Sequence, residues 1–298
     1  MWVDGQMSEH VPVSDRGLNY ADGLFETMRI VDGVIPLIDG HLERLMRDAA
    51  RLRLPVPEQS ALRGELGLAA AGTAAGVLKL VLTRGSGGRG YAPPAAASPR
   101  RIISIHSLPE YPGAWYQQGV CVRMCDTVLG SSPAIGGVKH LGRLEQVLAS
   151  QEPSDGAAEG LMHDAQGRII EGIRSNLFLV KARRLLTPDV SLSGVAGVMR
   201  EMIIELAPTL DLEVEITSVR REDLQCADEL FLSSSIFGIW PVREIRGMRV
   251  LGSATMVRKP GNTGAESSGI ESGPAMMCET TRRIMQAIAA RGVPQWAA

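Results

Sequence analysis

The sequence predicts a two-domain protein of mixed α/β (α+β) class. Three observations carry that prediction. Strand-like and helix-like periodicities interleave along the chain, a proline- and glycine-rich break falls about a third of the way in, and 298 residues with 45% hydrophobic content suffice for two cores. The break, SLPEYPGAWYQQG, divides the chain into a small α/β N-terminal domain (1–108), a linker (109–118) and a larger C-terminal domain (119–298).

In chain order, TMRIV, the pair Asp32-Gly33 and VIPLI predict a β-hairpin, because Asp-Gly supplies the positive φ angles of a tight turn. GHLERLMRDAARL follows, with Leu42, Leu45, Met46, Ala49 and Leu52 at helical spacing, and predicts a helix with one buried face. Arg44 lies on this helix off the apolar stripe, where the ordinary state of an arginine is exposure. VLKLVLT and RIISIHS predict strands. Past the break, GVCVRMCDT, NLFLVK, EVEITS and ELFLSSS predict strands, and GLMHD-AQG-RIIEG a hairpin. LGRLEQVLASQ and VMREMIIELAP predict helices. KPGNTGAESSGIESGP is polar and Gly/Ser-rich, as a flexible linker or loop would be, and MMCETTRRIMQAIAA closes the pattern as an amphipathic helix.

Composition removes several functions. A net charge of −2 offers nothing to nucleic acid or an anionic membrane. No apolar run approaches the roughly 18 residues of a membrane span, and MWVDGQM lacks an export pattern, so a cytoplasmic protein is expected. Four unevenly spaced cysteines form no disulfide or zinc framework, and no metal site is expected. Cys121 and Cys125, four apart in a strand, share one face and read as buried free thiols.

The stretch LKLVLTRGSGGRGYAP (78–93) holds Gly85, Gly87 and Gly90 in a G-x-G-x-x-G spacing behind a strand. A dinucleotide site needs a helix directly after the glycines, because the helix N-terminus holds the pyrophosphate. Here YAPPAAASP follows, and no acidic residue stands about 20 positions on. The dinucleotide reading fails.

Only four of 31 basic residues are lysines: Lys79, Lys139, Lys181 and Lys259. A lysine nucleophile must be partly desolvated for its pKa to fall. Lys139, between a Gly-Gly pair and a helix among apolar neighbours, has the best setting; spacing says no more. Glu171 ends RIIEG and is either a strand-end carboxylate facing water or one aimed at a heterocyclic nitrogen. SGVAGVMRE opens a helix with glycines, where free N–H groups take an anion.

Together, SDRGLNYADGLFETMRI, HLERL, LKLVLTRGSGGRGYAP, GVKHLGRLEQVLAS, EGIRSNLF, GVAGVMRE and ADELFLSSSIFGIWPV resemble the fold-type IV pyridoxal-phosphate enzymes, the class IV aminotransferases. They occur in that family's order over residues 1 to about 245, and KHLGRLEQVL with RGSGGRGY is most similar to its 4-amino-4-deoxychorismate lyases. The resemblance implies a homodimer with pyridoxal 5′-phosphate between a small N-domain and a barrel-like C-domain. It implies that Lys139 is the Schiff-base lysine, that Glu171 binds the pyridine nitrogen and that Arg44 binds the phosphate. The N–H groups of Val198 and Met199, with Ser235, would complete the phosphate cup. Arg89, with Tyr91 beside it, would hold a substrate carboxylate, while Arg84 is either a second such group or a structural anchor. Thr27, Tyr91 and Lys139 are the candidate donors to the leaving group. Two positions depart from the pattern: Gly142 stands where related lyases have asparagine, and Met199 where aminotransferases often have threonine.

The implied reaction is elimination of pyruvate from the small molecule 4-amino-4-deoxychorismate, giving 4-aminobenzoate. The alternatives are a D-amino-acid or branched-chain aminotransferase of the same fold, or a non-catalytic binding protein.

Overall fold

The computed structural model describes residues 1–248 and 278–293. The first part runs β1 (Trp2–Val3), β2 (Gln6–Met7), α1 (Arg16–Tyr20), β3 (Gly23–Val31), α2 (Ile38–Leu52), α3 (Gln59–Ala70), β4 (Ala75–Thr83) and β5 (Arg100–His106). Next come α4 (Ala114–Gln117), β6 (Val120–Leu129), α5 (Leu144–Gln151), β7 (Glu159–Asp164), β8 (Ile169–Gly172), β9 (Asn176–Lys181) and β10 (Arg184–Pro188). The rest is α6 (Val198–Leu206), a 3-10 turn, β11 (Glu213–Thr217), α7 (Arg221–Cys226), β12 (Glu229–Ser234), β13 (Gly238–Ile245) and α8 (Glu279–Ala290). The stretch at 259–274, expected as a linker or loop, lies outside the described residues.

The first sheet has the order β2-β1-β5-β4-β3. On β3, Leu24, Met28 and Ile30 alternate inward and pack with Leu78, Leu80 and Leu82 of β4 against Leu42, Leu45 and Ala49 of α2. Each such buried leucine contributes about 1.5–3 kcal/mol. The alternation leaves Phe25, Thr27 and Arg29 on the opposite face. Glu26 breaks the inward apolar pattern, and its partners belong to the site described below.

The expected hairpin over residues 27–38 is half formed. Asp32 and Gly33 take φ of 48° and 77°, and Val31 bridges Val34. No second strand follows, because Pro36 lacks an N–H and Leu37 turns left-handed to start α2. β3 instead pairs antiparallel with β4, from Gly23↔Thr83 to Val31↔Ala75. Helix α3 lies outside the predicted elements, since Gly64 and Gly67 dilute a narrow stripe of Leu62, Leu66 and Ala70.

The second sheet has the order β11-β10-β9-β12-β13-β6-β7-β8. It curls until its edges approach: Ile169 at the β8 edge bridges Val219 just beyond β11, with N–H donating to the Val219 carbonyl at 2.8 Å. Backbone groups that an open sheet would expose are paired there, and the result is barrel-like. Its interior holds Trp240 stacked on Phe237, with ring centroids 3.8 Å apart, among Leu161, Leu177, Leu232 and Val242. Cys121 and Cys125 are buried and free on β6. No helix among the described residues is long and apolar enough to cross a membrane.

Candidate active site

The segment between β6 and α5 is stapled to both sheets. Gly137 bridges Val195, ahead of α6, and His140 bridges Leu24 on β3. Lys139 lies between the two bridges. Its carbonyl accepts from Phe25 N–H at 3.1 Å and its own N–H donates to Asp48 Oδ2 at 3.0 Å. Arg51, one turn further along α2, donates to the carbonyls of Gly136, Pro133 and Ala134. Helix α2 thus fixes the lysine's backbone from below.

The Lys139 amine lies 4.2 Å from the Phe25 ring centroid and lines a cavity of about 470 Å³ between the two sheets. Burial pushes its pKa down to about 7, with Arg44 adding to the shift and Glu26 opposing it. Glu171, from β8, lines the same cavity. Val195 N–H donates to its Oε2 at 2.8 Å. Burial pushes its carboxyl up to about 7, against the pull of Arg143 and of that hydrogen bond. An amine and a carboxyl, each displaced to about 7, face one enclosed space.

Helix α6 ends on the cavity with its N-terminus. Val198 and Met199 line it, and no side chain caps the helix there, so first-turn N–H groups remain for an anion. Gly197 is the N-cap; a Cβ there would collide with Asn176 Oδ1, whose amide donates to the Val195 carbonyl at 2.8 Å. Ser235, in the β12–β13 turn, also lines the cavity, as do Ser233 and Ser234 at the end of β12. Thr27 lines it from β3.

Arg44 is buried, not exposed as its place off the apolar stripe implied. Glu26, the inward carboxylate of β3, accounts for this: Arg44 Nε and Nη2 donate to it at 2.8 and 2.5 Å, and Nη1 donates to the Ala196 carbonyl at 3.1 Å. Burial alone would raise Glu26, yet Arg44 and His41 bring its carboxyl down to about 2. His41 Nδ1 lies 2.7 Å from Glu26 Oε2. Three of Arg44's five N–H groups are committed, leaving two for a ligand in the cavity that it lines.

The glycine-rich loop goes elsewhere. Arg84 is an anchor: Nε donates to Asp22 at 2.8 Å, while Nη1 and Nη2 donate to the Arg53 and Leu52 carbonyls at the end of α2. It is buried and does not line the cavity, so of its two expected roles these contacts fit the structural anchor. Arg89 and Tyr91 are exposed and do not line the cavity of their own chain either. Tyr91 meets Tyr20 edge-on, and Arg16 holds the loop through the carbonyls of Gly90, Tyr91 and Ala92. Gly85 is required at its turn (φ 82°), because a Cβ would collide with the Ser98 carbonyl.

Sequence reasoning missed Phe25, Glu26, Gln146, Asn176 and Arg143. Glu26 carried a usable signal, as a charge in the apolar phase of a strand. Gly142 is exposed, and a Cβ there would meet the His140 ring at 3.3 Å and Ala21 Cβ at 3.8 Å, so a side chain at this position would need the His140 ring to give way slightly.

Residues 23–245, three quarters of the chain with every cavity-lining group inside them, match the model of the amino-transferase class IV family. The chain belongs to that family. Among class IV members, it is 36% identical over 247 residues to the aminodeoxychorismate lyase of Vibrio harveyi, covering 82% of this chain and 90% of that one. It is similar to the 4-amino-4-deoxychorismate lyase of Pseudomonas aeruginosa, with 43% identity, a TM-score of 0.85 and coverage of 97% and 98%. The branched-chain amino acid aminotransferase of Escherichia coli shares the architecture at 27% identity and a TM-score of 0.78, with coverage of 97% and 93%. The fold is the fold-type IV architecture of these class IV enzymes.

Proposed function

We propose that the cavity binds pyridoxal 5′-phosphate and that the protein is an aminodeoxychorismate lyase, eliminating pyruvate from 4-amino-4-deoxychorismate to give 4-aminobenzoate. The observation that carries the reading is the Lys139 amine and the Glu171 carboxyl in one cavity, each displaced to about 7. The likeness to two lyases over most of the chain favours elimination over amino transfer.

The residues present fit the cofactor. Its phosphate would be held by the α6 N-terminus at Val198 and Met199, the two uncommitted N–H groups of Arg44, and Ser235, all of which line the cavity. Ser233 Oγ is buried in the cavity wall without a partner, as expected of a wall made for a polar ligand. Glu171 would supply a countercharge for its pyridine nitrogen, and Lys139 the amine for its aldehyde. The cofactor, when bound, supplies an electron sink for the carbon that bears the substrate's amine.

The remaining work falls to the chain. An amine displaced to about 7 is partly neutral at neutral pH, so Lys139 Nζ takes the proton from that carbon as general base. Glu171, held by Val195 N–H, keeps the charge that balances the sink. Loss of the enolpyruvyl oxygen leaves an aromatic ring, and aromatisation drives the step. Thr27 Oγ1 or Lys139 Nζ returns a proton to the departing side, since both line the cavity and Tyr91 does not.

Two further parts belong to the same proposal. The chain divides at 109–118 into two domains with the site between them. It also pairs as a homodimer, for which the exposed Leu144, Val147 and Leu148 stripe on α5 offers an apolar face.

The test is incubation of the cofactor-loaded protein with 4-amino-4-deoxychorismate and no keto-acid acceptor. Equal yields of 4-aminobenzoate and pyruvate are expected. Turnover only with 2-oxoglutarate and an amino acid would establish an aminotransferase instead, and a colourless protein unchanged by borohydride a binding role.

A further inference from the structure

Four cationic side chains line the cavity among the described residues: Arg44, Lys139, Arg143 and Arg174. Three have their work assigned. Arg44 is tied to Glu26 and Ala196, and Lys139 is the proposed cofactor amine. Arg143 donates through Nε and Nη2 to the His140 and Val138 carbonyls, bracing the lysine's segment. Arg174 differs. We propose that Arg174 is a substrate-carboxylate receptor that selects a planar ring bearing an acid group. The inference rests on the lyase reading and deepens it.

Arg174 stands three residues beyond Glu171, in the turn between β8 and β9. That turn is fixed by Gly172 N–H donating to Ser175 at 2.7 Å and Ile173 N–H donating to Gly160 at 3.0 Å. One edge of the guanidinium is anchored inward: Nε pairs with Glu159 at 3.2 Å, and Nη2 donates to the Ala158 carbonyl at 2.9 Å. Glu159 is itself buried, at 1% side-chain exposure, so the anchor belongs to the protein interior. The other end is open. The side chain is 56% exposed, and Nη1 has no hydrogen-bond partner among the described residues.

Nη1 and the second N–H of Nη2 therefore form a pinned fork, the geometry that takes a carboxylate through two parallel bonds. Fixing one edge beforehand lowers the entropy cost of holding a ligand at the other. Aromatic surface adjoins the fork. Tyr111 also lines the cavity, close enough for Arg174's charge to oppose the upward shift that burial gives its hydroxyl. Its ring meets Phe237 edge-on at 6.2 Å, and Phe237 lines the cavity too. A guanidinium beside two aromatic side chains complements a flat carbocycle with a carboxylate. An aliphatic amino acid would leave that wall unfilled.

The experiment uses the holoenzyme with Arg174→Gln and Arg174→Lys. Arg174→Gln is expected to raise KM for 4-amino-4-deoxychorismate at least about tenfold, with kcat within about threefold and cofactor absorbance unchanged. Arg174→Lys should fall between, keeping the charge and losing the fork. Calorimetry supplies a readout without turnover: wild type should bind 4-aminobenzoate at least about ten times tighter than aniline, and Arg174→Gln should bind the two alike. The double variant Arg174→Gln/Glu159→Gln removes the stranded buried carboxylate. A return of KM to the wild-type value there would make the effect structural and overturn the proposal. So would an unchanged KM in Arg174→Gln, or a wild type with no preference for the acid over aniline. A wild type without lyase turnover that still shows an Arg174-dependent preference for the acid would sink the lyase reading alone.

Discussion

Two segments stand out in this sequence for cationic residues among glycines: GGVKHLGR around Lys139, and RGSGGRGY around Arg84 and Arg89. They end in opposite situations. Lys139 has its backbone N–H held by Asp48 and its carbonyl by Phe25 while its amine faces a cavity. Arg84 donates from all three guanidinium nitrogens to Asp22 and the end of α2 and does not line the cavity, and Arg89 is exposed. Glycines admit close backbone approach in both places, so they do not distinguish a site from a scaffold. What distinguishes them is whether the charged atoms find protein partners. A group whose backbone is fixed and whose charged end faces the cavity is poised for a ligand; a group whose nitrogens bond protein away from the cavity holds the fold together.

That contrast can be broken by substitution, beginning where the effect should be largest. Lys139→Ala should lower turnover at least about a thousandfold, roughly 4 kcal/mol of barrier. In wild type, borohydride should attach the cofactor to Lys139 alone, and peptide mapping that found the label on Lys79, Lys181 or Lys259 would overturn the assignment. Glu171→Gln should keep cofactor but lose at least about tenfold in turnover, about 1.4 kcal/mol, since a neutral amide supplies no countercharge. Near-normal kinetics in that variant would show that Glu171 serves only Val195.

Arg84→Ala tests the scaffold half. It should leave Asp22 to Arg16 alone, free the Leu52 and Arg53 carbonyls and cost roughly 1–3 kcal/mol of stability, read as a lower urea midpoint. Properly folded variant at low temperature should keep its colour and KM; a selective rise in KM would return Arg84 to the substrate. The smallest effect is expected for Arg89→Lys, within about threefold in kcat/KM if the cavity's own residues suffice. A larger rise in KM would restore the expected carboxylate role of Arg89 and require that a second chain bring it to the site.

The pKa displacements sharpen the same contrast through pH. Glu171 sits at about 7 when folded against 4.5 as a free side chain, so between those values the folded state binds more protons and stability falls as pH rises. Lys139 sits at about 7 against 10.5, so above 7 the unfolded state binds more protons and stability recovers toward 10.5. Cofactor-free protein should show these two slopes meeting near pH 7. Denaturant titrations of Glu171→Gln should lose the lower slope and those of Lys139→Met the upper; unchanged profiles would mean that both groups are solvated.

The sequence by itself determined most of the strands, the helices α2, α5, α6 and α8, and the family, because these depend on local periodicity and short motifs. It also singled out Lys139 as the lysine in the least solvated setting, and it argued against a dinucleotide at the RGSGGRGY loop, after which no helix begins before β5. Tertiary structure alone decided the rest. Local pattern marked Arg44 as exposed, and only the pairing of β3 with α2 revealed a buried carboxylate, Glu26, waiting 18 residues away. The Asp32-Gly33 turn formed as its residues dictate, but β3 took its long partner from β4, 44 or more positions along the chain. Arg84 became an anchor only because α2 ends beside it, and Arg174 faces the cavity because Glu159, 15 residues earlier, holds its other edge. Spacing along the chain reports which face a side chain leaves from; the partner it meets is set by which elements pack together, and that decides whether its charge is satisfied or left for a ligand.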